Sequence, residues 1–311
     1  MVPQLMRILF VTANRLGDAV ISTGVLDALQ KRYPAALFTV VCGPVAAGLF
    51  EADPRCERII VMTKRRHDRH WLDLWRDCFP TRWFMVVDLR GSLLGLTLRA
   101  RRRVIVRGGR RPGRRIEQLG HALGYRRTPM PRVWTTATQR EQAMRLLPER
   151  GWLALGPTAN WDGKIWPAER FVELAKALRP LHLRPVVLYG PGDAERERAL
   201  PVLGALPDAL DLGGSPSLGE VAALLMRCTL FIGNDSGLMH LAAAAGTPTL
   251  GLFGPSRASE YAPAGRMARY VEAPGPEGHA PISGLSVATV LSAARKILSE
   301  KDVSVSCIGA D

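Results

Sequence analysis

The chain has 311 residues, 47% of them hydrophobic, which is enough to bury a sizeable core and to suggest two domains. Lys and Arg outnumber Asp and Glu by 42 to 28, and the formal net charge of +14 favours acidic partners: nucleic acid, an anionic membrane surface or phosphorylated substrates. Five scattered cysteines (Cys42, Cys56, Cys78, Cys228, Cys307) show no metal-ligand spacing, so reduced thiols are expected rather than a disulfide framework or zinc site. No apolar run approaches the ~18–20 residues of a spanning helix, and "RILFVTA" is too short for a signal peptide before it runs into "NRLGD". The expectation is a cytoplasmic chain that touches a membrane only at its surface.

In chain order, short apolar runs alternate with helical patterns. Strands are expected at 7–13, 38–43, 58–62, 83–89 and 104–108. Between the first two, Val20, Ile21, Val25, Leu26 and Leu29 fall at helical spacing, and Pro34 ends the run. The pattern then restarts. "WLALGP" is a strand, 168–179 an amphipathic helix and "PVVLYG" a strand. After them come a charged helix from Asp193, a short strand in "ALDLGG" and a helix in "LGEVAALLMRC". "TLFIG" and "TPTLGLFG" are strands, "SVATVLSAARKIL" is the last helix, and the tail after Lys301 is expected to fray. This rhythm implies two α/β halves with parallel sheets. The join is expected in the polar, proline-bearing segment 125–150, with domains at 1–140 and 141–311.

Four stretches stand where a strand gives way to a helix, the place where open α/β sheets bind ligands. In "FIGNDSGLMHLAAAAGTPTLGLFGPS", Asp235 or Ser236 can cap a helix whose free N–H groups and dipole suit an anion. Gly237 permits close approach, and His240 lies near the same mouth. In "RLGDAVISTG", Asp18 sits at a strand's carboxyl end, where it is a proton acceptor or simply a cap. "GPTANWDGKIWPAERF" offers Thr158 as a donor and Lys164 as a point charge for phosphate. "YGPGDAERERAL" places Glu195 where it holds a ribose hydroxyl or favours the helix start. Each of these residues also has an ordinary structural reading.

Taken together and in this order, "RILFVTANRLGDAVISTGVLDALQKRYP", "VVDLRGS", "GPTANWDGKIWPAERFVELAKAL", "VVLYGPGDAERE" and "GNDSGLMHLAAAAGTPTLGLFGPS" resemble glycosyltransferase family 9, the lipopolysaccharide heptosyltransferases. The resemblance implies a GT-B fold, two Rossmann-like domains facing a central cleft, with acceptor on the N-terminal domain and nucleotide-sugar on the C-terminal one. It implies Asp18 as catalytic base and Lys164 as the phosphate-contacting lysine. Asp235, Ser236, Gly237 and His240 match the donor-binding D-[ST]-G-x-x-H element. Thr158 joins them, and Glu195 is a looser match. The implied reaction is a metal-independent inverting displacement, with ADP-heptose as donor and no cofactor. "APGPEGHAPISG" lacks the cysteine-bearing segment of some relatives, which argues against a metal-dependent one.

Two basic runs lie in the acceptor half: "KRRHDRH" at 64–70, and 99–115 with nine arginines. Arginine forks suit the carboxylates and phosphates of core lipopolysaccharide, which makes Arg65, Arg66, Arg90 and Arg107 candidate acceptor contacts. The same runs also read as a solvated face near an anionic inner membrane. Nucleic acid fits the charge but lacks a recognition motif. Two rivals remain open at this point: a nucleotide-sugar epimerase on a similar architecture, and a non-catalytic binder of nucleotides or anionic glycolipids. A classical NAD dehydrogenase is disfavoured, because "TANRLGD" lacks G-x-G-x-x-G.

Overall fold

The structure, a computed structural model, describes residues 6–106 and 112–306. The chain divides into two compact units, Met1–Trp134 and Thr135–Asp311. The expected join at 140/141 falls inside a helix, and the chain divides ahead of that helix instead.

The first unit runs β1 (Arg7–Val11), α1 (Leu16–Arg32), β2 (Leu37–Cys42), β3 (Cys56–Val61), α2 (Arg69–Cys78), β4 (Trp83–Asp88), α3 (Leu94–Thr97), β5 (Ala100–Ile105) and α4 (Arg115–Ala122). Its five strands are all parallel, in the order β3-β2-β1-β4-β5. β1 is central, and Ile8 to Val11 are fully buried, as a strand covered on both faces requires. The five apolar residues that mark α1 in the sequence are all buried. Segment 129–132 folds back on α1. A Cβ at Gly24 would collide with the Pro129 carbonyl, the Arg132 N–H donates to Thr23 Oγ1 at 2.9 Å, and the Arg132 guanidinium pairs with Asp27 at 3.0 Å. These ties explain why the polar stretch before residue 134 belongs to the first unit.

The second unit runs α5 (Ala137–Leu146), β6 (Trp152–Gly156), α6 (Ala168–Leu178), β7 (Arg184–Val187), α7 (Asp193–Ala205), β8 (Leu210–Asp211), α8 (Leu218–Arg227), β9 (Leu230–Asn234), α9 (Gly237–Ala244), β10 (Thr249–Phe253), α10 (Ala258–Tyr261), β11 (Ala268–Glu272) and α11 (Val287–Ser306). Six parallel strands lie in the order β11-β10-β9-β6-β7-β8. Trp166 and Phe171, both fully buried, meet edge-to-face in its core at 5.0 Å. The tail expected to fray after Lys301 is helical to Ser306, and the remaining residues lie outside those described.

Both sheets have a central strand from which the order runs one way and then the other. The reversal falls between β1 and β4 in the first sheet and between β6 and β9 in the second. At such a switch point the two flanking connections leave on opposite faces of the sheet, opening a crevice outside the strands' carboxyl ends. At the second switch point the two strand ends approach closely. Gly156 and Gly233 are register partners at the ends of β6 and β9, and a Cβ on Gly233 would lie 2.8 Å from the Gly156 carbonyl oxygen. Only glycine lets the two backbones converge there.

Six of these elements escape the sequence reading, among them the one-turn helices α3 and α10. α2 is masked by the charge run leading into it, α4 lies beyond the arginine run, and β11 is a largely exposed edge strand without alternation. α5 buries only Ala143, yet it carries a legible start signal. The Thr136 hydroxyl accepts from the Gln139 N–H, and the Gln139 side chain accepts from the Thr136 N–H, a reciprocal capping box.

Candidate active site

The first switch point gathers Asn14, Asp18 and Arg90. Asp18 lies in the first turn of α1, but the N-cap position is Arg15, so the capping reading of Asp18 fails. The carboxylate is partly exposed and has no hydrogen-bond or ion-pair partner among the described residues. Arg90 leaves the end of β4 through a turn organised by Asp88. That fully buried carboxylate accepts from the backbone N–H groups of Arg90, Gly91 and Ser92 at 2.8–3.1 Å and from the Ser92 hydroxyl at 2.6 Å. The Arg90 guanidinium donates to Asn14 Oδ1 at 3.1 Å and stacks over the Trp71 ring at 4.9 Å. Burial pushes its pKa below the usual arginine range, against the opposing pull of Asp88. Arginine's planar fork leaves further N–H groups free after these contacts. A hydroxyl-bearing anionic ligand at this mouth would meet a proton acceptor and a pre-aimed guanidinium.

The second switch point is more tightly assembled. Lys164 Nζ donates to Asp235 Oδ2 at 2.5 Å, with the lysine 24% and the aspartate 8% exposed. Asn234, fully buried at the end of β9, accepts the Trp166 N–H on Oδ1 at 3.0 Å, while its Nδ2 has no partner among the described residues. Trp166 Nε1 and Arg170 both donate to the Leu285 carbonyl, at 2.9 and 2.6 Å. Asp162 pairs with Arg198 of α7 at 2.9 Å. The loop carrying Lys164 is therefore fastened at both ends, and the lysine keeps two N–H donors for a ligand.

Ser236 occupies the N-cap position of α9 in extended conformation, and its buried hydroxyl bonds to nothing among the described residues. Gly237 opens the helix, His240 is buried within it at 5% exposure, and Gly246 ends it with φ of +82°. The first N–H groups of such a helix lack intrahelical partners and attract anions. Thr158, 2% exposed, follows β6 into the same crevice. Glu195 turns inward, accepting from the Gly190 N–H at 3.4 Å and lying 3.5 Å from Arg198.

The structure thus brings Thr158, Lys164, Asp235, Ser236, Gly237 and His240 to one switch point, and Asp18 and Arg90 to the other. Arg65 is exposed and spent on Asp73 at 2.9 Å, Arg66 is exposed, and Arg107 lies outside the described residues. Sequence reasoning misses Asn14, Asn234 and Ser256, the last with another buried, unpartnered hydroxyl beyond β10. Asn234 is adjacent to the recognised motif, and its position at a strand's end was the available signal. Among the described residues no group of three or more His, Cys, Asp or Glu is placed to hold a metal ion, and no helix is long and apolar enough to cross a membrane.

The profile described as "Glycosyltransferase family 9 (heptosyltransferase)" matches residues 113–281, more than half of the chain. Lipopolysaccharide heptosyltransferase 2 of Salmonella typhimurium is 26% identical over 86% of this chain and 88% of its own length. Lipopolysaccharide heptosyltransferase 1 of Pseudomonas aeruginosa is 29% identical over 81% and 79%. Among solved structures, a family 9 glycosyl transferase from Veillonella parvula superposes with a TM-score of 0.82 at 23% identity, covering 96% of this chain and 99% of that one. The ADP-heptose lipopolysaccharide heptosyltransferase II of E. coli gives 0.78 at 20%, covering 96% and 100%. These likenesses show the fold, the GT-B class of two Rossmann-like units with parallel sheets. The chain belongs to glycosyltransferase family 9, the heptosyltransferases, and is a glycosyl-transferring enzyme.

Proposed function

We propose that this enzyme transfers a heptose from ADP-heptose to an acidic sugar of the lipopolysaccharide core, with inversion at the anomeric carbon. The first unit would take the acceptor and the second the donor. The observation that carries this reading is the difference in chemistry between the switch points: an unpartnered carboxylate at one, and a fastened lysine beside an unpaired helix start at the other.

In the proposed mechanism Asp18 takes the proton of the acceptor hydroxyl as its oxygen attacks the anomeric carbon. The bond from that carbon to the diphosphate breaks on the opposite face. The charge growing on the leaving phosphate is met by Lys164 and the N–H groups at the start of α9. Asp235, already paired to Lys164, keeps the ammonium in place before the donor arrives and has a second oxygen for a sugar hydroxyl. Thr158, Ser236 and His240 line the donor side, and Glu195 is placed to hold a ribose hydroxyl. Arg90 would receive the acceptor's carboxylates or phosphates. The net charge of +14 supports an acidic acceptor and a peripheral contact with an anionic inner-membrane surface.

The test is a thermal-shift screen of nucleotide-sugars, followed by mass spectrometry of a Kdo-bearing acceptor incubated with the best binder. One added heptose, formed only when both substrates are present, is expected. Chemical change of the donor without acceptor would favour an epimerase, and donor binding without turnover would favour a binding protein.

A further inference from the structure

The first unit exposes apolar surface that its core does not need. Leu93 is 77% exposed, Leu96 60% and Leu72 48%. All three sit on one side of the first sheet. α2 and the segment 90–99 lie side by side there: Arg90 covers Trp71 at the start of α2, and Arg99 covers Phe79 just past its end, at 4.9 and 4.8 Å. Leu74 and Cys78 of α2 and Leu94 and Leu98 beside it share one buried cluster, and Trp71 and Trp75 are only partly covered against it. The leucines therefore point away from a core that is already filled.

The surroundings are basic. Residues 64–103 contain eleven Lys and Arg against four Asp and no Glu. Of the four, Asp88 is buried in its own turn, Asp77 is paired with Arg58 at 2.8 Å, and Asp73 with Arg65 at 2.9 Å. Asp68 alone stays exposed without a Lys or Arg partner, beside His70. Lys64, Arg66 and Arg69 lead into α2 with no ion-pair partner among the described residues. Arg101 is likewise unpaired, on the strand face of Arg103, whose guanidinium binds the carbonyls of Gly95 and Leu98 around α3.

We propose that the α2–α3 face of the first unit is a docking surface for an anionic lipid bilayer. Leu72, Leu93 and Leu96 would enter the headgroup–acyl boundary while Lys64, Arg66, Arg69 and Arg101 meet lipid phosphates. Exposed leucines on elements that also carry unpaired basic residues are what an anionic bilayer complements, because apolar burial and surface charge then act together. Neighbouring exposed apolar residues rimmed by charge mark interaction sites, membrane sites among them. The face adjoins the mouth that holds Asp18, since Arg90 joins Trp71 of α2 to Asn14 beside β1. A lipid-anchored acceptor would then reach the carboxylate without leaving the bilayer. The docking face gives a location to the peripheral contact proposed above and rests on that reading.

The experiment is flotation of the full chain with phosphatidylcholine vesicles, with and without phosphatidylglycerol, for wild type and for Leu93→Ser/Leu96→Ser. Wild type is expected to float only with anionic vesicles and to release as salt rises. The double variant is expected to bind on the order of a hundredfold more weakly. Its melting temperature and its transfer to a delipidated, water-soluble acceptor should not change. Equal flotation of the two proteins would overturn this face and leave peripheral contact standing. No flotation of wild type, with transfer to the soluble acceptor intact, would overturn the contact itself. A wild-type dimer in sedimentation that the double variant breaks would show that a second copy covers the leucines instead.

Discussion

At the mouth of the first sheet, Asp18 stands partly exposed without a partner among the described residues, and Arg90 is clamped between Asn14 and Trp71. At the mouth of the second, the charged side chains are already held, while the Asn234 Nδ2 and the Ser236 hydroxyl stay open among the described residues. Lys164 is on Asp235, the Trp166 N–H on Asn234, and the loop between is pinned by Arg198. Two units with the same strand logic have thus finished their switch points differently. A group that must accept a proton gains from being free, because a salt bridge would occupy its lone pairs. A group that must meet a diphosphate gains from being held, because positioning done beforehand costs nothing at the moment of reaction. The contrast predicts that damage to the first mouth falls on turnover and damage to the second falls on donor affinity as well.

The largest effect is expected from Asp18→Asn. This variant keeps size and polarity and should lose between about 10² and 10⁴ in kcat, read by product mass spectrometry under saturating donor. Survival of near-normal turnover would remove the base assignment. Lys164→Ala comes next, with a loss of about 10²–10³ in kcat and a weakened donor KM. Asp235→Asn should reproduce part of it by releasing the lysine. A smaller effect is expected at Asn234. Asn234→Ala strands the buried Trp166 N–H, a cost of about 1–3 kcal/mol visible in urea melts, and loosens the lysine loop. Asn234→Asp retains the accepting oxygen and should recover most of the kinetic loss; if both variants behave alike, the bond to Trp166 is irrelevant to Lys164. Arg90→Ala should raise the acceptor KM about tenfold and leave donor KM alone, and Arg90→Lys should not rescue it, because lysine lacks the planar fork.

The smallest effect concerns thiols. Burial pushes Cys42 and Cys78 up to about 12. Only a small fraction of either is thiolate at pH 8, and the thiolate is the reactive form. Iodoacetamide at that pH should label neither in the native protein and leave activity intact. Rapid loss of activity with labelling of Cys42 would mean that the core of the first unit opens readily.

Much of this architecture was legible because parallel strands buried on both faces must be continuous apolar runs, and β1, β6, β9 and β10 are such runs. The same rule explains why β11 escaped: an edge strand with exposed residues carries no such signature. α2 escaped because arginines and aspartates interrupt its apolar stripe, although Leu74 and Cys78 still reach the core. At the candidate site, Asp18, Lys164 and Asp235 could be found from their place at strand ends. Their couplings could not. Asn234 and Trp166 are 68 residues apart, Asn14 and Arg90 are 76 apart, and only the folded sheet brings such pairs within a hydrogen bond. Asp18's freedom from any partner is equally invisible in a sequence, where a carboxylate in a first helical turn reads as well as a cap.

The most direct measurement of this division of labour is donor binding by isothermal titration calorimetry, using ADP-heptose with wild type, Asp18→Asn and Lys164→Ala. The proposed roles predict that Asp18→Asn binds the donor within about twofold of wild type while turning over at least ~100-fold more slowly, and that Lys164→Ala binds it at least ~tenfold more weakly. Donor affinity lost in Asp18→Asn but kept in Lys164→Ala would contradict them.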